Sequence, residues 1–256
     1  MTDALAPIST VAPATLEALR ALDAATIYNV LKGLGRAEPG SYSGPELRCL
    51  FPDLGTVVGY AVTSEWTGGE ADAPNEDYLL LLELIESMPK PVISVVVDVG
   101  SRPGRSGIAG DGMMREFQVL GAGGAVVAGS IIDIAGMERL SFPVYATGVV
   151  PAYDDMRMAG FGRPVDVGPL RVATGDLIVG DRTGVLRVPA DAADAVIAGL
   201  PGFGALVALV AELLDRPGLT AAEMRAWYAA NEPAFLGGEE SSSETLRRVV
   251  GEAATD

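Results

Sequence analysis

The sequence has 256 residues, 49% of them apolar, enough for one large domain or two small ones with a sizeable core. A net charge of −16 excludes partners that need a basic face, so neither nucleic acid nor an anionic membrane surface is expected to bind. It does not exclude an acidic small molecule, because a few local donors can outweigh the global field.

The chain contains no histidine. That removes Ser-His and Cys-His dyads, His-ligated zinc and histidine bases. Cys49 is the only cysteine, so no intrachain disulfide or thiolate cluster can form, and a buried apolar role is expected for it. Lys32 and Lys90 are the only lysines, the first in an amphipathic stretch and the second between two prolines, a poor setting for Schiff-base chemistry. The N-terminus, MTDALAPIST, has no apolar signal-like region, and no uninterrupted apolar run reaches membrane-spanning length. A cytoplasmic protein without a membrane segment is expected.

Along the chain, Pro13 opens one helix or two, with Leu16, Leu19 and Leu22 on one face and Gly33 and Gly35 at the stop. Thr56–Thr63 is β-branched and apolar and reads as a strand. Asn75 can cap a helix through Tyr78–Ile85, and Val92–Val97 reads as a buried strand. A glycine-rich loop, Gly100–Gly112, leads to a helix at Met113–Leu120 and a second buried strand at Ala125–Val127. Further strands are expected at Pro143–Ala146, Val165–Val172, Leu177–Val179 and Val185–Val188. Helices are expected at Asp191–Leu200, Ala205–Leu214 and Thr220–Asn231. Gly237–Ser243 reads as a polar break, and the aromatic residues Trp227, Tyr228 and Phe235 suggest that the C-terminal part docks onto something. The alternation of buried strands with helices predicts an α/β fold.

Three glycine-rich places could carry chemistry. Gly121–Gly129 has the composition of a nucleotide loop, but its glycines follow a helix and precede a strand, the reverse of the dinucleotide fingerprint. A helix end at Gly121 and a turn into the strand account for it. Methyltransferase chemistry has no support here. Ser106–Glu116 places glycines before a helix, so the free amides of Gly112, Met113 and Met114 could receive a carboxylate or phosphate. Asp111 there is either functional or a simple N-cap. In Ala128–Asp133 a buried strand ends in an acid, either a metal ligand or the cap of a short helix near Ile134.

As an ordered set these features resemble the RraA-like superfamily, which includes metal-dependent 4-hydroxy-4-methyl-2-oxoglutarate aldolases. Gly110-Asp111 matches the family's Gly-Asp at a helix start. Gly121 and Gly124 match its helix-end glycines, and Gly129 matches the glycine preceding its Arg-Asp pair. Leu50–Glu65 and Gly175–Pro189 resemble flanking strands of the family, so the resemblance spans roughly residues 20–215. It implies a swivelling β/β/α sandwich with flanking helices, as one domain over residues 1–216, followed by a helical extension and tail over 217–256. It implies Mg²⁺ or Mn²⁺ held by Asp133 with Asp111 in support, and Glu212 as the nearest counterpart of a glutamate supplied by a neighbouring subunit. It also implies a carboxylate substrate near Gly110, Gly112, Met113, Met114 and Gly129, and a homotrimer or hexamer.

The departure is Ile132, which stands where the family has arginine, and Ala128 replaces an asparagine beside it. An apolar side chain cannot donate to an enolate, a loss of about 2–4 kcal/mol of transition-state stabilisation. Arg102, Arg105 and Arg115 lie nearby in sequence, and Arg105 is the candidate substitute. Three readings stay open. One is a divalent-metal-dependent lyase acting on a 2-oxo acid by retro-aldol cleavage or decarboxylation. Another is a repurposed scaffold for a larger, more apolar substrate in specialised biosynthesis, with the metal lost or kept. The third is a non-catalytic protein-binding regulator.

Overall fold

The computed structural model describes residues 7–231, so Phe235 and the expected polar break lie outside the described residues. The chain divides into two compact units: residues up to Ala24 with Pro39–Ala190, and Ala25–Glu38 with the residues from Asp191 onward.

In chain order the elements are α1 (Pro13–Arg20), α2 (Ala24–Gly33), β1 (Arg48–Cys49), β2 (Val57–Gly68), α3 (Tyr78–Ser87), β3 (Val92–Asp98), β4 (Gly107–Ala109), α4 (Asp111–Val119) and β5 (Ala122–Ile131). They continue with α5 (Ile134–Leu140), β6 (Val144–Val149), β7 (Met156–Phe161), β8 (Val165–Val167), β9 (Leu170–Val172), β10 (Leu177–Asp181), β11 (Gly184–Val188), α6 (Ala193–Leu214) and α7 (Ala221–Asn231).

The first unit is built on a mixed sheet ordered β1-β6-β5-β3-β2-β10-β11. The four central strands β6, β5, β3 and β2 are parallel, and β10 and β11 continue the sheet antiparallel. A parallel core must be covered on both faces, and β3 is buried along its whole length. Ile93, Val95 and Val97 face a core with Val126 and Tyr145 that also takes Val165, Val167, Leu170 and Val172 from the β8–β9 hairpin. Alternation in that hairpin turns Asp166 and Arg171 outward, where they pair at 3.1 Å. Helices α3 and α4 pack with β2 and β5, and α4 packs with α5.

Two short pairings finish the end of the sheet. Strand β4 runs parallel to the last residues of β5, pairing Gly107 with Ser130 and Ala109 with Ile131. Strand β7 pairs antiparallel with the second half of β2. Between β5 and β6 the register slips from Val127↔Ala146 to Ser130↔Gly148, so β5 carries one extra residue at Ala128-Gly129. Such a bulge re-aims the rest of the strand. Thr147 Oγ1 holds it by donating to the Gly129 carbonyl at 3.0 Å.

Several local expectations need correction. Helix α3 is capped by Asp77, whose side chain accepts from the Leu79 amide at 2.9 Å, and not by Asn75. Val165–Val172 is a hairpin and not one strand. The two helices expected on either side of Pro201 are one, α6. Gly121 does end a helix, just past the C-cap of α4 with φ 95°.

In the second unit, Ile27, Val30 and Leu31 of α2 and Val196 and Leu213 of α6 are buried. The expectation of no membrane segment meets one exception: Ala190–Leu214 is long and apolar enough to cross a membrane, by length and composition alone. Trp227 and Tyr228 of α7 meet edge to face at 5.3 Å.

Candidate functional site

The parallel strands β4 and β5 run side by side into two helices. β4 enters α4 through Gly110, and β5 enters α5 through Ile132-Asp133. The strand ends are stitched together, because Ile132 N donates to Ala109 O and Val150 N to Ile131 O, both at 3.0 Å. Two strand-to-helix junctions therefore stand next to each other at the carboxyl end of the sheet, the usual place for a ligand in an α/β fold.

Each junction leaves room beside a glycine for the other's carboxylate. The Asp111 carboxyl lies against Gly136 in the first turn of α5, where a methyl group would collide with it. Asp133 Oδ2 lies 3.0 Å from where a Cβ on Gly110 would stand. Asp111 is the first residue of α4 and not its cap, which is Gly110. Asp133 sits at the N-cap position of α5 with φ 58° and ψ 39°, and its side chain makes no capping hydrogen bond. Left-handed backbone at a non-glycine residue costs on the order of 1–3 kcal/mol. Here the strained acid does not perform the local task that its position offers. Among the described residues no hydrogen bond or ion pair holds either carboxylate.

The helix start beside them is open. A Cβ on Gly112 would meet nothing within 4 Å. The first amides of a helix have no acceptor within it, which leaves those of Gly112 and Met113 for an anion. Met114 does not belong with them: its amide donates to Gly110 O at 3.1 Å and its side chain is fully buried. Gly129 lies buried inside the bulge, where a Cβ on it would crowd Ile108 and stand 3.0 Å from Asp98 Cβ, and not on the open side. Ile132 folds its side chain over the neighbouring glycines, with Cγ2 2.5 Å from a virtual Cβ on Gly107 and Cγ1 3.2 Å from one on Gly110.

Arg105 lies exposed in the loop between β3 and β4, and no ion pair holds it among the described residues. Arg115 is occupied by Gln118 Oε1 at 2.8 Å. Glu212 is exposed on α6 in the second unit. Among the described residues no three His, Cys, Asp or Glu side chains gather around a common point. The acids that the two junctions could offer a cation are Asp111 and Asp133. One or two carboxylates completed by water are a common way to hold Mg²⁺, and the glycines at 110 and 136 leave the space that both carboxyl groups need.

Sequence reasoning missed Asp98. It ends β3, is 7% exposed, and accepts the amides of Gly100 at 3.0 Å and Gly104 at 2.7 Å. The signal was present, since an acid followed by Val-Gly closes a buried strand just as Asp133 follows one. Glu70 was also missed. It accepts from the Ser101 amide, and that bond holds its carboxyl below the usual carboxylate range.

The family model for RraA-like proteins (Aldolase/RraA) matches residues 24–187, which include both junctions. The chain belongs to the RraA-like family. A relative from Halalkalibacterium halodurans, named "Putative 4-hydroxy-4-methyl-2-oxoglutarate aldolase", is 34% identical over 136 residues, which cover 52% of this chain and 60% of that one. Two solved structures share the fold. Streptomyces coelicolor RraAS2, described as an unusual member of the RNase ES inhibitor RraA protein family, superposes with a TM-score of 0.63 at 24% identity, covering 80% of this chain and 98% of its own. An uncharacterized protein from Pseudomonas syringae pv. tomato superposes with a TM-score of 0.66 at 20% identity, covering 89% of this chain and all of its own. For this RraA-like chain the fold is α/β, as its strand and helix pattern predicts.

Proposed function

We propose that this RraA-like protein is a divalent-metal-dependent lyase acting on a 2-oxo acid, by retro-aldol cleavage or decarboxylation. The observation that carries the reading is Asp133, a strained acid at the end of a central strand whose carboxylate caps nothing and faces Gly110. Asp111, at the start of α4, lies in turn against Gly136 in the first turn of α5. Together they would hold Mg²⁺ or Mn²⁺, which when bound would supply a Lewis acid for a 2-oxo group. The amides of Gly112 and Met113 at the start of α4 bind and orient the substrate carboxylate. Arg105 supplies the positive charge that Ile132 cannot.

Metal binding tests this directly. Titration of Mn²⁺ into the full chain is expected to show a site that Asp133→Ala removes. Equal binding by both proteins would sink the assignment.

A second reading has its own observation. Ile132 covers Gly107 and Gly110 with hydrocarbon, which suits a larger and more apolar substrate on the same scaffold. A metal-binding protein inert toward short 2-oxo acids would favour it. We also propose that the chain is a homo-oligomer whose subunits meet through α6, where Val207 and Leu214 are 52% and 54% exposed.

A further inference from the structure

The loop that carries Arg105 is held far more firmly than a connection requires. It leaves the central strand at Asp98, whose buried carboxylate takes the Gly100 amide on one oxygen and the Gly104 amide on the other. Ser130, 3% exposed, donates from Oγ to the Gly104 carbonyl at 2.6 Å. Gly104 is therefore gripped at both ends, its N–H by β3 and its C=O by β5. It adopts φ 79°, which disfavours other residues. Room is made for both grips. A Cβ on Gly129 would stand 3.0 Å from Asp98 Cβ, and one on Gly148 would collide with Ser130 Oγ. Glu70 takes the Ser101 amide on the outer side of the loop.

Two features connect this latch to the site. Arg105 immediately follows Gly104, is exposed and has no ion-pair partner among the described residues. Ser130 immediately precedes Ile131-Ile132-Asp133 on β5, and Gly107 at the other end of the loop lies against Ile132. The residue that fixes the loop thus belongs to the same strand end as the proposed metal ligand. A shift at Ser130 moves the two relative to each other.

We infer that Asp98 and Ser130 are positioning residues: by clamping the Gly104 peptide they hold Arg105 where it can bind the carboxylate or enolate oxygen of a 2-oxo acid. This rests on the reading of the site given above. A guanidinium on a loose loop would lose the orientation that makes such a contact strong. Ser130→Ala removes one grip without changing a charge. Asp98→Asn leaves one neutral acceptor oxygen for the two amides of Gly100 and Gly104 and so weakens the other grip.

The test is equilibrium binding of oxalate, a planar mimic of a pyruvate enolate, to the full chain in Mg²⁺, with thermal melting recorded for each protein. Arg105→Gln and Ser130→Ala are each expected to weaken oxalate roughly tenfold, the size of one charge-assisted hydrogen bond. The double variant is expected to bind about as well as Arg105→Gln alone, because a displaced arginine has little left to lose. Asp98→Asn, measured in the same way, should match Ser130→Ala and stands in for it if that variant does not fold. Wild-type affinity in Ser130→Ala, even with a lowered melting temperature, would reduce the latch to a structural role and overturn the inference. So would an additive, roughly hundredfold loss in the double variant. If the wild type binds Mn²⁺ but neither latch variant alters oxalate affinity, the positioning claim fails alone. If the wild type binds no oxalate, the reading of the site fails and takes the claim with it.

Discussion

At the scale of single residues the site is defined by where glycine is required. Gly136 makes this testable without touching an acid. In a helix, alanine is favoured over glycine by about 1 kcal/mol, but a methyl group on Gly136 would also press on Asp111 Cβ at 2.6 Å, so Gly136→Ala must shift α4 against α5. The new methyl group would displace the Asp111 carboxylate. Mn²⁺ affinity is expected to fall, with an overpacking cost of about 1–3 kcal/mol in stability. Undiminished affinity would remove Asp111 from the site. Cys49 offers an independent check of packing. Burial pushes its thiol above the ordinary range, outweighing a hydrogen bond from the backbone at Phe51 that acts the other way. A raised pKa means less thiolate at a given pH. Iodoacetamide should therefore label Cys49 more slowly at pH 8.5 than an unhindered thiol, with its rate still rising above that pH. Labelling at the rate of a free thiol would contradict the burial.

Elements were legible where their own sequence carries the signal. Helix α3 reads from its apolar spacing, and its cap can be tested: Asp77→Ala should cost about 1 kcal/mol in denaturant unfolding, whereas Asn75→Ala should cost almost nothing. Strands β3 and β5 read as buried apolar runs, and the acids Asp111 and Asp133 stand at helix starts beside them as the spacing suggested. The misses depend on distant partners. Strand β4 has three residues, two of them small, and exists because β5 continues past the end of β3. Strand β7 borrows its partner from the more polar second half of β2. Pro201 reads as a helix break, yet α6 continues through it. The Asp98 latch joins Gly104 to Asp98 six positions before it and to Ser130 26 positions after it, and no local pattern announces the second bond. The reciprocal seating of Asp111 on Gly136 and Asp133 on Gly110 is likewise a product of two helices meeting, invisible along the chain.

For the whole molecule, family membership and the α/β fold account for the arrangement of strands, and function depends on what has been changed at the site. Helix α6 exposes hydrocarbon at Val207 and Leu214. Val207 and Leu214 are seven positions apart and share one helix face. The double change Val207→Glu with Leu214→Glu is expected to lower the sedimentation coefficient from that of an oligomer to that of a monomer. An unchanged coefficient would place the subunit contact elsewhere. The central claim, a metal-dependent lyase in which another group replaces the family's arginine, is tested most directly by pyruvate release from oxaloacetate. The assay compares the full chain, Asp133→Ala and Ile132→Arg, with Mg²⁺ or Mn²⁺ and with chelator. The account predicts metal-dependent turnover by the wild type, abolished by chelator and by Asp133→Ala. Turnover indifferent to both, or found only in Ile132→Arg, would contradict it.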